Sequence, residues 1–135
     1  MCTTALGHDR PSTDIEIRLE ADELAPRKAR AFVRHHVARL GYPRCVDDAA
    51  VVVSELVTNA VTAAPLGPIF VALPPSSGRL VIECWDLSPE CPVSREPDVL
   101  DTHGRGLGVV KELSLSYGFD HRGRWKVVWA LLDGR

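Results

Sequence analysis

The chain has 135 residues with sixteen Lys and Arg against eighteen Asp and Glu, a net charge of −2: enough length for one domain with its own core, and no charge excess of the kind that binds polyanions. No stretch approaches the roughly 20 apolar residues of a membrane span, and the polar start MCTTALGHDR lacks a signal peptide's apolar middle. Composition therefore points to a cytosolic protein that touches neither a membrane nor, directly, nucleic acid.

Residues 1–13 carry Gly7, Pro11 and small polar side chains and read as a flexible leader, with 14–135 as the single domain. Ile15, Ile17 and Leu19 alternate with Glu16, Arg18 and Glu20, the pattern of an edge strand with one face buried. From Pro26, the residues Ala29, Phe32, Val33, Val37 and Leu40 recur at helical spacing until Gly41-Tyr42-Pro43 stops the run. His35 and His36 in this amphipathic helix read as surface or half-buried side chains rather than metal ligands. Cys2, Cys45, Cys84 and Cys91 form no C-x-x-C pair and do not cluster with His, which favours free thiols over disulfides or zinc.

Asp47 to Ala64, DDAAVVVSELVTNAVTAA, predicts the central helix, with an acidic cap and Pro65 as its stop. It is apolar almost all round, so burial between layers is expected. Glu55 and Asn59, four residues apart and flanked by Thr58 and Thr62, form one polar stripe along it. A carboxylate and a carboxamide removed from water cost several kcal/mol, roughly, unless paired, so the stripe calls for a partner or a ligand.

Beyond Pro65-Leu66-Gly67-Pro68, residues 69–73 and 80–86 predict two strands joined by a Pro/Ser/Gly turn as a hairpin. If Leu80, Ile82 and Cys84 face the helices, Asp86 shares their face and reaches the layer of Glu55 and Asn59. Residues 87–103 show neither period and read as a lid. The lid leads into Gly104-Arg105-Gly106-Leu107-Gly108, a glycine turn opening a helix, where backbone N–H groups form an anion site. Tyr117 to Asp120, a turn at His121-Arg122-Gly123-Arg124 and the strand from Trp125 to Leu132 complete an α+β order with helices on one face of a mainly antiparallel sheet.

Alone, G-x-G-L-G is a weak signal. No G-x-x-x-x-G-K-[ST] occurs, and the glycine turn follows a lid rather than the first strand of a βαβ unit. The ordered set of helix E-L-V-T-N-A, strand ending in Asp86, lid and glycine turn resembles the GHKL, or Bergerat-fold, ATP-binding family, which includes histidine-kinase catalytic domains and gyrase. Within it, the chain is most similar to short bacterial anti-sigma factors that act as protein serine kinases. The resemblance covers residues 14–132, nearly the whole chain. It implies a two-layer α/β sandwich with a mixed, mostly antiparallel sheet, and ATP and Mg2+ bound between helices and lid. Asn59 would coordinate the magnesium, Glu55 one turn earlier would be the base, and Asp86 would bind the adenine amino group. Gly104, Gly106 and Gly108, with Arg105 and Leu107 between them, would cradle the phosphates.

The chain also departs from that family. Asp86-Leu87-Ser88-Pro89-Glu90 stands where D-x-G-x-G is common, and Thr62 and Ala63 replace a basic residue and a histidine, so Arg105 or Lys126 is left to supply positive charge near the phosphates, unless either is a solvated surface charge. Two functions follow as expectations. One is a serine/threonine kinase acting on an anti-anti-sigma-like partner. The other is an ATP-dependent switch that sequesters a sigma factor or another partner without transfer. Homodimerisation stays open, and a detached histidine-kinase catalytic domain would need a phosphoacceptor hairpin. A nucleotide-free α+β domain with a self-satisfied polar stripe is the plain alternative.

Overall fold

A computed structural model describes residues 13–65, 67–88 and 108–134, and in it the chain runs as strand, two helices, two strands, a further helical stretch and two strands. The elements are β1 (Glu16–Leu19), α1 (Ala25–Arg39), a 3-10 turn (Pro43–Cys45), α2 (Val46–Ala63), β2 (Ile69–Ala72), β3 (Arg79–Asp86), α3 (helical residues 108–113), β4 (Ser116–Arg122) and β5 (Trp125–Asp133). One five-stranded sheet has the order β1-β2-β3-β5-β4, with β1 at an edge as its alternation predicts. The resemblance implies a mixed sheet; every pairing among the described residues is antiparallel.

Register explains the two-layer form. Leu19 lies opposite Ile69, Val71 opposite Cys84, Leu80 opposite Leu132 and Ile82 opposite Ala130, so alternate residues of four strands build one apolar face. That face is buried together with Val52, Val53, Leu56, Val57 and Ala60 of α2 and with Ala25, Ala29, Val33 and Val37 of α1. Val110 of α3 joins the same core. Burying each Val or Leu contributes about 1.5–3 kcal/mol, which outweighs the weak helix propensity of the valines in α2. The opposite face of the sheet carries Phe70, Trp85 and Trp125, where the rings of Phe70 and Trp125 meet edge to face at 5.6 Å and Trp85 donates its indole N–H to Glu83.

Helix α1 spaces its buried residues by four and ends at Gly41, whose φ of 99° suits glycine. It packs beside α2, where the Arg30 guanidinium donates to Ser54 Oγ at 2.8 Å. The Arg34–Asp47 pair at 2.9 Å is exposed at both ends and adds little. His35 is exposed and His36 half-buried against Phe32, and burial lowers the pKa of His36, helped by His35 and Arg39.

The start of α2 differs from the expected acidic cap. The helix begins at Val46 with Cys45 as N-cap and no side-chain cap bond, because Pro43 sets a 3-10 turn that feeds straight into it. Asp47 and Asp48 lie in the first turn and act through the helix dipole instead. The β4–β5 turn is also tighter than expected: His121 and Arg122 stay in β4, and Gly123, at φ 63°, makes the reversal with Arg124. Residues 1–12, most of the expected leader, lie outside the described residues.

Gly118 pairs with Trp129 across β4–β5, and a Cβ there would come 2.7 Å from the indole ring. Gly118→Ala should therefore lose about 1–3 kcal/mol of stability in denaturant unfolding. A loss below a few tenths would mean that the indole swings clear.

Candidate functional site

Three sides of α2 meet different surroundings. The sheet and α1 cover two of them, while Val51, at 41% exposure, and exposed Thr58 and Thr62 mark a third that is open. Glu55 and Asn59 sit half-buried along this open flank, so the expectation of a helix buried all round is corrected: α1 and the sheet are too few layers to enclose it. Neither Glu55 nor Asn59 has a hydrogen-bond or ion-pair partner among the described residues. Thr62, by contrast, turns its hydroxyl back onto the Thr58 carbonyl at 3.1 Å.

Asp86 ends β3 on the helix-facing side, two residues beyond Cys84, whose thiol donates to the Leu56 carbonyl of α2 at 3.7 Å. Five residues join α2 to β2, and β2 pairs with the end of β3 through Phe70 and Trp85. Leu87 lies against Gly67 in that connection, where a Cβ would sit 3.1 Å from its side chain. The end of β3 therefore lies at the C-terminal end of α2, the half that carries Asn59 and Thr62. The sequence expectation that strand alternation turns Asp86 toward the helical layer agrees with this register.

Asp86 is 1% exposed and held from two sides: the Ser88 N–H donates to Oδ1 at 2.7 Å, and Lys126 Nζ stands 3.5 Å from Oδ2. Burial raises the pKa of its carboxyl, and Lys126, the Ser88 N–H and His121 oppose that shift. Lys126 pairs with Asp86 across β3–β5 and with His121 across β4–β5, so Asp86, Lys126 and His121 form one row on the helix-facing side. The buried thiol of Cys84 beside this row is pushed far up, mainly by burial.

Lys126 was expected either near the phosphates or as a solvated charge. It is not a solvated charge: it is 5% exposed and stands beside Asp86. Strand parity carried the signal, since Lys126 has the same parity as Val128, Ala130 and Leu132, which face the helices. Gly104, Arg105, Gly106 and Leu107, with the lid from residue 89 onward, lie outside the described residues. Gly108 is the first described residue of the helical stretch 108–113 and is exposed, with open space where a side chain would be.

Residues 17–131 match the family model of the histidine kinase-like ATPase domain. The chain belongs to that family. A search of curated proteins found no match. For a histidine kinase-like ATPase domain, membership implies ATP binding, usually with magnesium. Among the described residues no cluster of three or more His, Cys, Asp or Glu forms, and no helix is long and apolar enough to cross a membrane. A magnesium ion would thus rely on one or two side-chain oxygens with phosphates and water, which is its ordinary habit, and the unpartnered amide of Asn59 fits that role.

The buried Asp86–Lys126 pair can be tested without any ligand. Asp86→Leu leaves an ammonium buried without its counter-charge and should cost about 3–5 kcal/mol, and Lys126→Met should cost a similar amount. The double variant should lose much less than the sum of the two, as measured by urea unfolding. Additive losses would show that the two charges do not depend on each other.

Proposed function

We propose that this chain is an ATP-binding regulatory protein of the anti-sigma kind that acts as a serine/threonine protein kinase on an anti-anti-sigma-like partner. The observation that supports this most is the open flank of α2, where a carboxylate and a carboxamide one turn apart stand half-buried without partners among the described residues. Asn59 Oδ1 would hold magnesium, a hard cation that takes oxygen ligands and that would neutralise charge on the phosphates. Asp86 accepts from the adenine amino group at the far end of the nucleotide. The sequence Gly104-Arg105-Gly106-Leu107-Gly108 would supply backbone N–H groups to the phosphates. Glu55 accepts the proton of the partner's hydroxyl as that oxygen bonds the γ-phosphorus and the bond to ADP breaks.

A second reading is a binding switch, in which ATP sets affinity for a sigma factor or another regulatory partner without transfer. Its support lies at the base end: Ser88 and Glu90 stand at the positions where the D-x-G-x-G pattern has glycines that would let backbone approach, and Lys126 occupies one side of the carboxylate. Homodimerisation is compatible with either.

Two measurements separate these readings. ATP should bind with a clear magnesium dependence by calorimetry, and Asn59→Ala should remove that dependence while leaving the melting temperature nearly unchanged; equal affinity with and without magnesium would end the role of Asn59. Glu55→Gln should leave ATP affinity nearly unchanged yet lower transfer of labelled phosphate to a true partner by roughly a hundredfold or more. A wild type that binds partner and ATP together without moving label is a switch.

A further inference from the structure

We infer that Asp86 and Lys126 read the base as a pair: the carboxylate accepts from the 6-amino group of adenine, and the Lys126 ammonium donates to ring nitrogen N1. This rests on the ATP-binding reading above and adds to it a residue that decides which base is taken. The geometry begins with the ammonium. Lys126 is 5% exposed and carries three N–H donors, and among the described residues Asp86 is its one acceptor. Their 3.5 Å separation exceeds the roughly 2.7–2.9 Å of a tight charge-assisted hydrogen bond, so the two heads stand side by side rather than clamped together. A buried ammonium with unused donors calls for a further acceptor.

The carboxylate has the complementary need. Oδ1 accepts from the Ser88 N–H and Oδ2 faces Lys126, which leaves acceptor capacity on both oxygens. The Ser88 N–H is turned back onto the carboxylate and is spent there. Among the described residues, Lys126 is thus the donor beside the acceptor. An acceptor and a donor side by side match the edge of adenine, whose 6-amino group donates and whose N1 accepts. Guanine presents a carbonyl and an N1–H at the same positions, so each group would meet its own kind, and buried polar groups left unpaired discriminate strongly. His121 lies across from Lys126 in β4, in the same row.

The experiment compares ATP, GTP and 1-deaza-ATP, in which N1 is replaced by C–H, by calorimetry on the wild-type protein and on Lys126→Met and Lys126→Gln. Wild type should bind ATP roughly tenfold to a hundredfold more tightly than 1-deaza-ATP, and GTP more weakly still. Lys126→Met should bind ATP and 1-deaza-ATP alike, whereas Lys126→Gln, which keeps a neutral donor, should retain part of the preference. Equal binding of the two by wild type overturns the proposal without reference to any variant. So does a Lys126→Met protein that still prefers ATP as strongly as wild type does. If wild type binds ATP tightly but ignores N1, only the pair is overturned; if it binds no adenine nucleotide, the ATP reading itself fails.

Discussion

Everything at the site depends on how α2 is seated. Val52, Val53, Leu56, Val57 and Ala60 bury on the antiparallel sheet and against α1, and that apolar contact fixes the rotation of the helix about its axis. Once the rotation is fixed, Glu55 and Asn59 have no choice of direction: they emerge on the flank that neither layer covers. The polar stripe is therefore a by-product of core packing in its position, though not in its composition. An alanine or lysine there would leave the core unchanged. A glutamate and an asparagine, half-buried and without partners among the described residues, are what the proposed proton and magnesium contacts would use.

The same constraint acts on the sheet. Because alternate residues of a strand face opposite sides, burying Leu80, Ile82 and Cys84 under α2 also turns Asp86 inward, and burying Val128, Ala130 and Leu132 does the same to Lys126. Two charges thus enter a layer that otherwise excludes them. Each makes the other tolerable, since an isolated buried charge costs far more than a paired one. The row is local, confined to the end of the sheet where β3 stops and the β4–β5 turn begins.

Sequence alone made most of this arrangement legible wherever it follows from period and parity. The edge strand from Ile15, the helix opening near Pro26, the hairpin of β2 and β3 and the inward turn of Asp86 all follow from spacing within one segment. What escaped needed relations between segments. The partner of Lys126 depends on the β3–β5 register, which joins residues forty apart in the chain and has no local turn to set it. The openness of α2 likewise depends on how many layers surround it, and an all-round apolar helix looks the same whether two or three sides are covered. The start of α2 was misread for a smaller reason: Asp47 and Asp48 resemble caps, but the 3-10 turn from Pro43 had already begun the helical path.

A buried ion pair is a poor way to gain stability, because desolvation of two charges offsets most of their attraction and an apolar pair of similar volume serves as well or better. Asp86 and Lys126 therefore ask for a reason beyond folding. Hydrogen-bond direction supplies one. Apolar side chains at these positions would accept any flat ring, whereas a carboxylate and an ammonium side by side distinguish edges that donate from edges that accept, at a place too dry for water to blur the difference. Under the proposed reading, the carboxylate at the end of β3 would by itself suffice to accept from an amino group. The ammonium next to it would change the problem from recognising one group to recognising an ordered pair, and a pair has a direction that a single group lacks.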